Sequence, residues 1–136
     1  MGTLLSGLPE HVGDDEDVAR FLTQSKQFNT SRVKPSAFLP SSKHRNTSIF
    51  RMGGDPAHLV DTWNQNNPDD RPLRGAAICK AKHVGAAGLD VVASEPRPTH
   101  ANVEGWPWLE SDEELQKAQQ LERAIQIAAE ATVVTL

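Results

Sequence analysis

The chain has 136 residues, 38% hydrophobic and 24% charged, with nine glycines, nine prolines and one cysteine. That is enough for a single domain with one real core, and so much glycine and proline predicts an irregular α+β domain rather than a helical bundle. No apolar run reaches membrane-span length and the lone Cys79 excludes an internal disulfide, so a cytoplasmic protein without membrane contact is expected.

The net charge of −4 is divided unevenly. Residues 1–17 carry five acids and no base, residues 18–103 twelve Lys/Arg against six Asp/Glu, and residues 104–136 two against seven. Seven bases from Arg20 to Arg51 meet no acid at all. Such a middle suits an anion: a phosphate, a nucleic acid, or the chain's own acidic ends.

Residues 1–13 read as a flexible lead-in, and residues 14–136 as one domain. Asp14 or Asp15 can cap a helix, and Val18, Phe21, Leu22, Ser25 and Phe28 then recur at helical spacing, which predicts a helix over about 15–28. Arg32 to Pro40 contains two prolines and reads as an extended edge segment. Thr47 to Met52 is a strand closed by Gly53-Gly54. Asp55 and Pro56 open a second helix whose apolar stripe is Leu59, Val60 and Trp63. Gly75 to Cys79 and Leu89 to Ala93 are strands, separated by a helical turn over 80–87 with Gly88 as its C-terminal cap.

The stretch Pro98-Thr99-His100-Ala101-Asn102-Val103-Glu104-Gly105-Trp106-Pro107-Trp108 concentrates the chemistry of the chain. As a strand it turns Ala101 and Val103 inward and sets His100, Asn102 and Glu104 on the other face. Ser111 and Glu114 form a capping box at the head of the last helix. Leu115, Ala118, Leu121, Ile125 and Ala128 form its apolar face through about residue 131. Thr132 to Leu136, β-branched and uncharged, reads as a final strand inserted in the sheet. The sum is a mixed sheet of four or five short strands with about three helices.

Several chemistries are absent from this pattern. Gly85-Ala86-Ala87-Gly88 lacks the lysine and spacing of a phosphate loop, and no serine occupies a Gly-x-Ser-x-Gly elbow. The five histidines follow no zinc spacing, so no metal and no cofactor is expected. A convergence of polar strand residues is left. Arg51 offers a forked donor for phosphate or carboxylate, His100 an exchangeable proton near neutral pH, and Asn102 a donor and an acceptor that fix orientation. Arg32, Lys34, Lys43, His44 and Arg45 can add positive charge as anion-binding residues. The competing assignment pairs Arg51 with Glu104 or Asp90, gives loop carbonyls to His100 and Asn102, and makes Trp106 and Trp108 core plugs.

Three blocks, Arg32-Val33-Lys34-Pro35-x-Ala37-Phe38-x-Pro40, Thr47-Ser48-Ile49-Phe50-Arg51 and His100-Ala101-Asn102-Val103-x-Gly105-Trp106-Pro107, resemble segments of a group of small uncharacterised bacterial proteins. The resemblance implies a bacterial, single-domain protein and carries over no site residue. The leading expectation is a small binding or accessory protein acting through an interaction surface, with a protein partner. The alternative is an enzyme or sensor for a phosphate-bearing small molecule such as a nucleotide, in which Arg51 holds the anion, His100 acts as acid or base and Asn102 orients the substrate. The third is nucleic-acid binding through the basic segment 26–51.

Overall fold

Alternation along each strand divides the side chains of one sheet between two faces. The computed structural model describes residues 9–29, 31–52, 74–94 and 99–135. Its strands are β1 (Asp17–Leu22), β2 (Thr47–Arg51), β3 (Gly75–Lys80), β4 (Asp90–Ala93), β5 (His100–Glu104) and β6 (Thr132–Thr135), in the order β4-β5-β2-β1-β3-β6. Every neighbouring pair is antiparallel. Helices α1 (Ala81–Ala86) and α2 (Glu113–Glu130) complete the described α structure. The α+β class is as expected. Among the described residues the sheet has six strands rather than four or five, and it is wholly antiparallel rather than mixed.

One face carries the main core. Val18, Leu22, Ile49, Ala77, Cys79, Ala101 and Val103 lie there, packed with Val33, Phe38, Val84, Leu89, Trp106, Ala124 and Ile127. The other face has a smaller cluster of Ala19, Phe21, Phe50, Met52 and Ala76. The central strand β1 is therefore buried on both sides, which is why a helix over 15–28 is not found. A doubly buried strand needs a continuous apolar run, and Val18-Ala19-x-Phe21-Leu22 satisfies helical spacing as readily as strand spacing. Residues 32–40 are likewise not an extended edge. Val33 makes one isolated bridge to Phe28, and Pro35–Phe38 is a 3-10 turn with proline at its first position. The expected helix from Asp55 and the loop from Glu95 to Pro98 lie outside the described residues.

Helix α1 ends as expected at Gly88, whose φ of +81° is open to glycine at little cost. Gly88 N–H donates to the Gly85 carbonyl at 2.9 Å and Leu89 N–H to the Val84 carbonyl at 3.2 Å. Val84 and Leu89 are buried together, the apolar contact that accompanies this paired cap.

The start of α2 is one residue later than the Ser111 box predicts. Asp112 is the cap, its Oδ1 accepting from Leu115 N–H at 3.0 Å. The rotation of α2 also differs from expectation. Gln120, Ala124 and Ile127 are buried, while Leu115, Leu121 and Ile125 are 47%, 43% and 49% exposed. Two glutamines fix this rotation. Gln116 Oε1 accepts from Leu109 N–H at 2.6 Å, and Gln120 Nε2 donates to the Pro107 carbonyl at 2.9 Å. Backbone groups of the loop entering the helix would otherwise be buried unpaired, so the glutamines turn inward and the larger aliphatics turn out.

Strands β1 and β2 are paired only at Val18↔Arg51 and Ala19↔Phe50. Beyond that point Arg20 fills the gap, its Nε donating to the Ala37 carbonyl at 2.8 Å and its Nη1 to the Ser48 carbonyl at 2.9 Å. Burial lowers the affinity of this guanidinium for its proton.

Candidate functional site

The polar ribbon of β5 faces away from α2. Ala101 and Val103 are buried in the main core at 0% and 1% exposure, so His100, Asn102 and Glu104 share the opposite face, as alternation predicts. Register places their neighbours. Val92, Asn102 and Ser48 form one row across β4, β5 and β2, and His100, Phe50 and Ala19 form the next across β5, β2 and β1. Directly opposed residues in an antiparallel pair lie on the same face, and diagonal neighbours remain within reach.

His100 is 6% exposed and its ring is held on three sides. Nε2 lies 2.6 Å from Ser48 Oγ, and Nδ1 lies 3.3 Å from the Ser94 carbonyl. A carbonyl only accepts, so Nδ1 is the donor in the second contact, while the direction of the Ser48–Nε2 bond follows the protonation of the ring. The Phe50 ring meets the imidazole edge-on with centroids 5.2 Å apart, and Phe21 stacks on Phe50 at 4.8 Å. Ser48 and Asn102 are half-buried beside this pair. The Asn102 side chain has no hydrogen-bond partner among the described residues. Glu104, one row further, accepts from Asn46 Nδ2 at 2.8 Å.

Arg51 does not join them. It projects to the main-core face, where it is 1% exposed. Its Nε and Nη2 grip the two carboxylate oxygens of Glu16, the second at 2.9 Å, and its Nη1 donates to the Pro9 carbonyl at 2.7 Å. Its partner is therefore Glu16, not Glu104 or Asp90. The structure brings His100 and Asn102 to one face and leaves Arg51 on the other, so the three cannot contact one small ligand together.

The basic middle is also partly consumed from within. Arg20 and Arg51 are internal, and Arg45 pairs with Glu110 at 2.8 Å while lying 4.8 Å over the Trp108 ring. Lys80 and Lys82 approach Asp17 and Asp15, each at 3.7 Å. Acids from both ends of the chain thus meet bases from its middle. Arg32, Lys34, Lys43 and His44 remain exposed, and the three strong bases among them make no ion pair among the described residues. Trp106 is buried in the core and Trp108 packs against that core, as plugs rather than open platforms.

Other candidate chemistry is sparse among the described residues. No group of three or more His, Cys, Asp or Glu is placed to hold a metal ion, and no helix is long and apolar enough to cross a membrane. Cys79 is buried, and burial first, then Asp17 and Glu130, pushes its thiol up to about 12. It is not a thiolate nucleophile at neutral pH. The outward face of α2 is a second feature of note: Ile125 also lines a groove of about 500 Å³ with Val33, Pro35 and Ala129, edged by Arg32. Comparison with protein-family models, with curated proteins and with solved structures finds no match to this chain.

Ser48, Ser94 and Glu16 were not singled out by the sequence. Ser48 and Phe50 alternate onto one face in Thr47-Ser48-Ile49-Phe50-Arg51, and that signal is readable. Which residue of β5 stands opposite Ser48 depends on register, which no local pattern supplies.

Proposed function

We propose that the chain is a small binding or accessory protein acting through an interaction surface, and that the outward face of α2 is that surface. The observation that carries this reading is the exposure of Leu115, Leu121 and Ile125 along one side of a helix whose buried side includes Gln120. Scattered exposed aliphatics are ordinary, but a line of them on one helix face is the pattern of a helix that docks on another protein. The neighbouring groove beside Val33 and Pro35 extends the same apolar strip. The nucleotide reading has less behind it, since Arg51 is committed to Glu16 on the far face.

The test uses the tagged chain and a Leu121→Glu, Ile125→Glu double variant, each incubated with native-host lysate and each sized by light scattering. The expected result is a stoichiometric partner, or a second copy of the chain, held by the parent and weakened at least tenfold in the variant. A monomeric parent that retains nothing the folded variant loses overturns the proposal.

A further inference from the structure

Strand β6 forms one edge of the sheet and is paired on one side only, with β3. Among the described residues its backbone makes no hydrogen bond beyond that ladder, so alternate residues turn their N–H and C=O outward with no backbone partner. Folded chains blunt such an edge with a charge, a proline or a bulge. β6 has none of these. Thr132-Val133-Val134-Thr135 is uncharged, and its register with β3 runs without interruption from Gly75↔Thr135 to Ile78↔Thr132. The two threonines are exposed and the two valines half-buried, Val133 against the main core and Val134 against the smaller cluster. β4, at the other edge, begins instead with the exposed Asp90.

We propose that β6 pairs antiparallel with β6 of a second copy of this chain, joining the two six-stranded sheets about a two-fold axis. The strand is complementary to itself. An axis normal to the sheet sets one residue opposite its own counterpart, either Val133 or Val134. In both registers a valine pair lies at the centre and a threonine faces a valine on each flank. β6 places no charge between two identical copies, and Glu130, the acid nearest to it in the chain, lies 3.8 Å from His83. These features suit a second copy better than a foreign strand, which an uncharged edge has little means to select.

One contact uses up the same patch on both copies, so association stops at the dimer. A ladder of four residues is short, and the dimer is accordingly weak and governed by concentration. The contact is separate from the outward aliphatics of α2 and does not depend on them.

Sedimentation equilibrium on the full chain tests this over a roughly hundredfold range of concentration. Beside the parent run a Thr132→Lys, Thr135→Lys variant, which charges the edge, and the Leu121→Glu, Ile125→Glu variant, which leaves the edge intact. Both threonines are exposed, and an unchanged urea midpoint establishes that the lysine variant folds. The parent and the α2 variant are expected to dimerise alike, and the lysine variant to associate at least tenfold more weakly. Hydrogen exchange gives a readout that needs no substitution: alternate amides of residues 132–135 slow at least tenfold from the dilute to the concentrated parent. A parent that stays monomeric throughout leaves the edge to another protein and overturns the proposal. A dimer that survives in the folded lysine variant, or one lost only in the α2 variant, overturns it as well.

Discussion

Arg51 is the largest completely buried side chain among the described residues, and a guanidinium in that position carries a desolvation cost of several kcal/mol. Glu16 and the Pro9 carbonyl offset it through three hydrogen bonds. The two partners are not equivalent, because the Glu16 side chain keeps 19% of its exposure and Arg51 none. Glu16→Ala leaves a buried cation with one carbonyl, whereas Arg51→Met leaves a carboxylate that water can reach. Glu16→Ala is therefore expected to cost about 3 kcal/mol in urea unfolding, and Arg51→Met distinctly less. Equal losses would show that the pair contributes by packing rather than by charge. Sequence reasoning identified Arg51 as a residue with a special partner but not Glu16, since 35 positions of chain separate them. The same reasoning assigned His100 and Asn102 their face correctly, because strand alternation is a local property.

At the level of the element, α2 inverts the usual rule for an amphipathic helix. Periodicity detects that it is two-sided but does not tell which side faces the core. Here the Pro107–Leu109 backbone decides, through Gln116 and Gln120. Gln120→Ala orphans the Pro107 carbonyl and is expected to cost about 1–3 kcal/mol in thermal or urea unfolding. Leu121→Ala, on the outward face, is expected to cost no more than about 0.5 kcal/mol. The reverse order would place the leucines in the core after all. The helical spacing over 15–28 hides a strand for a related reason: an element buried on two sides has no polar face to reveal its period. The strands with one polar face, β5 above all, were legible.

For the whole molecule, the acid-rich ends close on the base-rich middle, through Glu16 on Arg51, Asp17 beside Lys80 and Glu110 on Arg45. The positive charge inferred from composition is thus partly neutralised within the fold, while Arg32, Lys34 and Lys43 stay exposed. Global stability should also register Cys79, whose thiol is raised from an ordinary 9.0 to about 12. The unfolded chain releases that proton first, so between roughly pH 9 and 12 it binds fewer protons than the folded chain. Stability then falls as pH rises, by at most about 1.4 kcal/mol per unit from this group. Cys79→Ala is expected to flatten that alkaline slope in urea titrations at pH 8 to 11. An unchanged slope would assign the loss to other groups.

The short pairing of β1 with β2, completed by the Arg20 side chain, gives the sheet a seam between two triplets of strands, β4-β5-β2 and β1-β3-β6. A guanidinium bridging two carbonyls tolerates small changes of angle better than a full ladder of backbone bonds does. Across this line the core cluster is continuous, from Val18, Leu22 and Ala77 on one side to Ile49, Ala101 and Val103 on the other, so side-chain packing joins the triplets where the backbone ladder is short. Arg20 is therefore a substitute for missing ladder bonds, and its loss would leave the Ser48 and Ala37 carbonyls without the donor that now joins them.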